Sequence, residues 1–240
     1  MNTRRGHSVT TPASVTTLAI DTSTQALGLA LETREACLFL SLRMGFRHAE
    51  TLVPWVERLL AEADVEAGKL ELVVVASGPG SFTGLRIGMA TAKGLAAGAG
   101  CGIVGVPTLD AWAWQHRSFP GYVVPLIDAR KQRLYAAFYR SGARQAGFMD
   151  VSRGDLVEKL SGLSPPLLLT GPHASRFAQS LVSEELPFTP AVDPLHAALH
   201  PTALLRSGRR VYEREGSHGE ALVPLYVRGS QAELARRGAS

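Results

Sequence analysis

Val73-Val-Val-Ala-Ser-Gly-Pro79 and Leu167-Leu-Leu-Thr-Gly-Pro172 are two short apolar runs, each closed by Gly-Pro and followed by residues at helical spacing. A continuous apolar run of this length, stopped by a turn-forming dipeptide, reads as a buried strand. Upstream of each lies a second shared feature. Leu18-Ala-Ile20 ends at Asp21, and Thr-Ser-Thr-Gln then leads into the apolar segment Ala26–Leu31. Tyr122–Ile127 ends at Asp128, and Ala-Arg-Lys-Gln leads into Leu134–Tyr139. The order hairpin with an aspartate at its turn, then strand, Gly-Pro and helix therefore occurs twice. Such a duplication predicts two α/β lobes with ligand space between them; one undivided α/β domain with chance similarities is the competing reading.

Between these landmarks a third strand is expected near 36–42. A helix is expected over His48–Ala63, where Leu52, Trp55, Val56, Leu59, Leu60 and Ala63 make one apolar face. A second helix should run from Leu85 to Ala99 and stop at Gly100, and a short strand should follow at Ile103–Val106. Further helices are expected at Arg153–Leu160 and Ala174–Leu181. A duplicated β-hairpin plus βα unit of this kind is the plan of the actin and sugar-kinase superfamily.

The chain's 240 residues, 45% of them hydrophobic, suffice for one large core or two adjoining ones. With 19% charged residues and a net charge of +4, the chain is neither disordered throughout nor basic enough to argue for nucleic acid. Arg209-Arg210 and Arg236-Arg237 read as solvated ends. Cys37 and Cys101 form no CxxC pair and are read as reduced, small apolar residues. No apolar run approaches the ~20 residues of a membrane helix. Arg4 and Arg5 are not followed by an apolar signal core, so a cytoplasmic protein is expected.

The sharpest local feature is Ser77-Gly-Pro-Gly-Ser-Phe-Thr-Gly-Leu-Arg-Ile-Gly88, between a buried strand and a helix. Gly78 and Gly80 allow close backbone approach, Ser81 or Thr83 can cap the helix, and Arg86 adds a positive charge one turn in. The segment fits neither a P-loop, which needs GK followed by Ser or Thr, nor GxGxxG. Phosphate cradle and tight turn remain equal alternatives on chemistry alone. Along the helix, Gly84, Gly88, Ala92 and Ala96 recur every four residues on one face, which marks a close helix contact, internal or with another subunit.

Together with Ala19-Ile-Asp-Thr-Ser-Thr24, His48-Ala-Glu-Thr-Leu-Val-Pro54, Pro107-Thr-Leu-Asp110, Asp128-Ala-Arg130 and Pro224-Leu-Tyr-Val-Arg228, this segment resembles the TsaB (YeaZ) family closely. The matches span about residues 17 to 228, and Gly-Pro-Gly-Ser-Phe-Thr-Gly-Leu-Arg is the specific one. The resemblance implies an α/β, actin-like (ASKHA) fold of duplicated ribonuclease-H-like lobes. Expected boundaries are a disordered tail at 1–15, a partner-binding N-terminal lobe at 16–110, a C-terminal lobe at 111–230 and a flexible tail at 231–240.

It also implies a non-catalytic subunit of the machinery that forms threonylcarbamoyladenosine in tRNA. The partners implied are the catalytic paralogue TsaD, a TsaE-like ATPase, a second copy of the chain as a homodimer, and tRNA reached indirectly through the complex, with no membrane. The TsaD contact is similar to a helical bundle, which suits Leu52, Trp55, Val56 and Leu59 with Gly84, Gly88, Ala92 and Ala96. TsaD's metal-binding histidines correspond to Thr108 and Trp112, so no metal site is expected. No protease-like nucleophile and base are identified. No cofactor of its own is implied, although ATP at the interface of the complex is compatible. Asp21, Ser23, Gly78, Gly80, Ser81, Thr83, Arg86, Asp128 and Gly171 mark where a nucleotide or phosphate cleft would lie. Actin-like ATPases carry glycine two residues after each aspartate; here Ser23 and Arg130 stand there, so a degenerate cleft is expected. An independent actin-like ATPase or phosphotransferase is the alternative.

Overall fold

The structure is a computed structural model that describes residues 15–43, 45, 47–181, 186–195 and 198–227. Residues 1–14 and 228–240, with nearly all of the expected N-terminal tail, the expected C-terminal tail and Arg236-Arg237, lie outside the described residues.

The two anticipated hairpins each nucleate a sheet of the same plan. In the first, β1 (Thr17–Asp21), β2 (Ala26–Glu32), β3 (Cys37–Arg43), β4 (Leu72–Gly78) and β5 (Gly102–Pro107) are ordered β3-β2-β1-β4-β5. β1, β2 and β3 pair antiparallel, and β4 and β5 join β1 in parallel. α1 (His48–Glu62) links β3 to β4, and α2 (Phe82–Ala99) links β4 to β5. After α3 (Thr108–Gln115) the scheme repeats. β6 (Tyr122–Asp128) and β7 (Arg133–Ala136) form the second hairpin. The short β8 (Tyr139–Arg140) and β9 (Ala143–Arg144) extend it, and β10 (Met149–Ser152) pairs with β7. α4 (Arg153–Ser161), β11 (Leu167–Thr170), α5 (Ala174–Ser180) and β12 (Ala191–Val192) complete the order β10-β7-β6-β11-β12, again antiparallel and then parallel. α6 (Pro201–Glu215) follows.

Side-chain size sorts the two faces of the first sheet, because successive strand residues point to opposite sides. Leu18, Ile20, Leu27, Leu29, Val73 and Val75 pack beneath α1 and α2. Ala19, Ala30, Val74 and Val104 face the opposite way and share a core with α3, α6 and Val123, Ile127 and Leu168 of the second sheet. Val124, Leu126, Leu167 and Leu169 face outward beneath α4 and α5. The layers are therefore α1/α2, first sheet, α3/α6, second sheet, α4/α5.

α6 comes after the second sheet in sequence but packs on the first, where Gly208 lies so close to Val74 that a Cβ would collide with it. The span 111–230 therefore returns to the first sheet at 201–215, and position 110 falls within α3. Arg209, read as a solvated end, pairs with Glu32 at 3.0 Å, and Arg210 stacks on Trp114. Cys37 is exposed on the edge strand β3 rather than packed as an apolar residue. No helix among the described residues is long and apolar enough to cross a membrane.

Candidate functional site

The strand-to-helix loop after β4 is held by the first hairpin turn. The Ser81 hydroxyl caps α2 by accepting from the Gly84 N–H at 3.3 Å, and Gly100, in the left-handed region, closes the helix. The Ser81 N–H donates to the Ser23 carbonyl at 2.7 Å, and the Leu85 N–H donates to the Ser81 carbonyl at 2.8 Å. Thr22 Oγ1 donates to the Gly84 carbonyl at 2.8 Å. A Cβ on Gly80 or Gly84 would come closer than 3.0 Å to the backbone oxygen of Ser23 or Thr22. The close approach made by this loop is to the β1–β2 turn, as the tight-turn reading expects.

Gly84, Gly88, Ala92 and Ala96 are all buried against that turn and the first sheet, and Leu52, Val56 and Leu59 are buried beside them, with Trp55 half-buried. As a partner surface every member of this set but Trp55 is therefore corrected: a side chain inside the core of its own chain is not on offer to another subunit. The residues that α1 and α2 present outward include a different set, Val53, Ala90, Gly94, Ala97 and Gly98, with Trp55, Ile87 and Leu95 half-buried; α1 also exposes the charged Glu50, Glu57, Arg58 and Glu62. A Cβ at Gly94 or Gly98 would meet nothing within 4 Å.

Between the lobes lies a cleft of about 630 Å³ whose walls include Ser23, Gly80, Ser81 and Thr83 from the first lobe and Asp128 from the second. Asp21, Gly78, Arg86 and Gly171 of the expected set do not line it. Gly78 and Gly171 have positive φ and pack instead against the backbone of Leu225 and Leu126. Arg86 lies over the Phe82 ring, and its Nε donates to the Tyr226 hydroxyl at 3.2 Å. The two aspartates, equivalent in the duplication, have different surroundings. Asp128 is half-exposed and accepts from the Arg130 N–H at 2.8 Å. Asp21 is buried and accepts from the Ser23 N–H at 2.9 Å.

Burial pushes the Asp21 carboxyl above the usual carboxylate range, with Ser23 and the nearby His48 offsetting this in part. A carboxyl raised on folding favours the protonated native state. Its stabilising effect is complete below the unfolded value of about 3.9 and is lost as pH rises through the folded value. Asp21→Asn keeps the acceptor oxygen and removes the charge. The variant should therefore melt at a higher temperature than the parent at pH 8, the gap closing toward pH 4. Thermal melts across pH decide this, and a parent protein that is the more stable at pH 8 would contradict it.

Thr108 and Trp112, on α3, are fully buried in the core between the sheets. Asp110, on the same helix, accepts from the Tyr139 hydroxyl and pairs with Arg144 at 3.4 Å. Among the described residues, no three His, Cys, Asp or Glu side chains lie together as a metal ion would need. His116 sits with its Nε2 2.9 Å from Asp193 Oδ2, and the Thr170 hydroxyl donates to that same oxygen at 2.6 Å. The Thr170 hydroxyl also lies 3.3 Å from His116 Nε2, so one ring nitrogen faces both the hydroxyl and the carboxylate, and the imidazole does not bridge them through its two nitrogens as a nucleophile–base relay would require. No sequence pattern marked this cluster, because its three members come from the residue after α3, from β11 and from the residue after β12.

A family model described as "TsaD: tRNA N6-adenosine threonylcarbamoyltransferase" matches residues 44–211. The chain is 32% identical to the tRNA threonylcarbamoyladenosine biosynthesis protein TsaB of Bacillus subtilis (strain 168), covering 91% of this chain and 96% of that one. It is 36% identical to the protein of that name in Escherichia coli (strain K12) over 51% of this chain and 54% of that one. Among solved structures, YeaZ from Pseudomonas aeruginosa superposes with a TM-score of 0.74 at 25% identity, covering 89% of this chain and all of that one. An inorganic polyphosphate/ATP-glucomannokinase from Arthrobacter sp. strain KM is similar at a TM-score of 0.52 and 12% identity, covering 82% and 99%. That likeness reaches the fold, which is the actin-like α/β architecture.

Proposed function

The chain belongs to the TsaB (YeaZ) family, related to the threonylcarbamoyltransferase TsaD, and we propose that it serves tRNA threonylcarbamoyladenosine biosynthesis as a non-catalytic subunit that holds a TsaD-like paralogue through the outer face of α1 and α2. One observation carries this reading. α2 is an 18-residue helix whose outward residues at 90, 94, 97 and 98 are alanine and glycine, with open space over both glycines. A water-facing helix surface with no contact to make gains nothing from glycine, which lowers helix stability by about 0.5–1 kcal/mol relative to alanine. A facing helix that must approach closely accounts for both glycines, with exposed Val53 and the edge of Trp55 as its apolar flank. A second copy of the chain can use the same surface as a homodimer.

Where the paralogue carries its metal-binding histidines, this chain carries a buried threonine and a buried tryptophan, and this supports a partner that leaves the chemistry to TsaD. The N–H groups of Ser81, Gly84 and Leu85 are already engaged within the protein, which supports a cleft with no nucleotide of its own. ATP and the TsaE-like ATPase then belong to the assembled complex.

Gly94→Arg tests the contact. A Cβ there meets nothing within 4 Å and the position is exposed, so the melting temperature should stay within a few degrees of the parent's. Co-elution of the variant with the TsaD-like paralogue should weaken by roughly tenfold or more, about 1.4 kcal/mol. A variant that melts normally and still co-elutes at full strength removes this face from the interface.

A further inference from the structure

The interlobe cleft continues into a groove of about 780 Å³ on the second lobe, the two sharing Asp128, Arg130, His173 and Arg176. We propose that this continuous channel binds the phosphate backbone of an unpaired RNA segment. Arg43, Arg130, Lys131, Arg133, Arg153 and Arg176 line it, with Asp128 as the single carboxylate among the lining residues. Asp128 lies 3.8 Å from Arg130 and Asp150 pairs with Arg133, so the positive excess is carried chiefly by the exposed Arg43, Lys131 and Arg176. The protein as a whole is only mildly basic, with 25 Lys and Arg against 21 Asp and Glu, so the channel concentrates positive charge well beyond the average surface.

Two of these cations are fixed in place. Arg133 pairs with Asp150 at 2.7 Å, and Arg153 donates from Nε to the Ser180 hydroxyl at 3.0 Å. Others stand exposed: Arg43 at the end of β3, Arg176 on α5, and Lys131 on the β6–β7 turn. That turn holds three successive non-glycine residues, Arg130, Lys131 and Gln132, at positive φ, a conformation that L side chains disfavour. At the cleft end, Phe82 lines the wall with about half of its surface exposed, beside Tyr226 and beneath Arg86, which is the composition of a stacking platform for an unpaired base. A mononucleotide would leave most of the channel empty and would find the glycine-rich loop already engaged with Ser23; a strand places successive phosphates along it. The choice of RNA over DNA rests on the proposed role in tRNA modification. The electrostatic argument does not.

The test is fluorescence anisotropy of the full chain with a labelled tRNA transcript across a salt series. Binding should weaken steeply with salt. The double variant Lys131→Ala/Arg176→Ala should bind roughly tenfold more weakly, with a log–log salt slope shallower by about 1.4 for two lost contacts to a single strand. Its melting temperature and its capture of the TsaD-like paralogue should not change. Lys69→Ala, before β4 and so at the end of the first sheet remote from the cleft, should bind as the parent does. The proposal is overturned by absence of binding at about 50 mM salt, by an equal loss in Lys69→Ala, or by ATP displacing the RNA at equal phosphate concentration. None of these results bears on paralogue capture, so the channel and the scaffold role fail or stand separately.

Discussion

Trp112→Ala is expected to destabilise the protein by about 3–5 kcal/mol, the range for removing a fully buried aromatic side chain. Trp112 is the bulkiest of the fully buried residues and stands on α3 in the core shared by both sheets, with Val104, Val106, Leu109, Val123 and Leu204 in the same cluster. Most other components of that cluster belong to strands of both sheets, to α6 and to α3 itself, which limits how far the void can close by local collapse. A domain of ordinary stability holds about 5–15 kcal/mol, so the loss would take a third or more of it. Trp112→Phe supplies the contrast. The Trp112 indole N–H has no hydrogen-bond partner among the described residues, and a buried unpaired donor costs about 1–3 kcal/mol. Phenylalanine removes that donor while keeping much of the volume, so its loss should be less than half that of alanine. Urea unfolding of the three proteins measures both differences. Equal losses would mean that the indole volume does not matter, and the account of α3 as the link between the lobes would fall. This is also the position at which the family resemblance places a metal-binding histidine in TsaD, so the same measurement asks whether the residue here serves packing in its place.

Gly84→Ala should cost about 1–3 kcal/mol although it adds only a methyl group to a helix, where alanine is ordinarily preferred. The added Cβ would fall closer than 3.0 Å to the Thr22 carbonyl oxygen, which is main chain and cannot rotate away. Thr22 is also held against Gly84 by the hydrogen bond from its hydroxyl to the Gly84 carbonyl. Relieving the clash means shifting the β1–β2 turn and α2 apart, and with them the caps that Ser23 and Ser81 provide. Gly94→Ala on the same helix has open space and should instead stabilise by about 0.5–1 kcal/mol. The opposite signs at two glycines ten residues apart separate backbone contact from helix propensity. Chemical denaturation of both variants reads the difference, and a Gly84→Ala protein as stable as the parent would show that the loop is not seated on the turn.

Read together, these positions divide α2 into two working faces. The inner one binds the helix to the hairpin turn of its own lobe, and its small residues are explained by that contact. The outer one is what a partner can meet. The Gly94→Arg experiment addresses the second face without disturbing the first.

Most of the fold was legible in the chain. The apolar runs of β1 and β2, the valine run of β4, the Gly-Pro stops and the helical spacing of α1 and α2 are local signals, so each of these elements appears near its expected place. The duplication was legible because both lobes repeat the same short words in the same order. α6 was not read, although Pro201 at its first turn and the spacing of Leu204, Leu205, Gly208 and Val211 were available. Its return to the first sheet depends on a long-range contact for which sequence order gives no cue. The candidate interface was half legible. Periodicity places Gly84, Gly88, Ala92 and Ala96 on one face, but it cannot state which face of a helix turns inward when both carry small residues. That choice was made by Thr22 and Ser23, more than 50 residues away in the chain, whose carbonyls and hydroxyl fit only against glycine. The identity of the elements thus came from local chemistry, and the assignment of inside and outside came from tertiary contact.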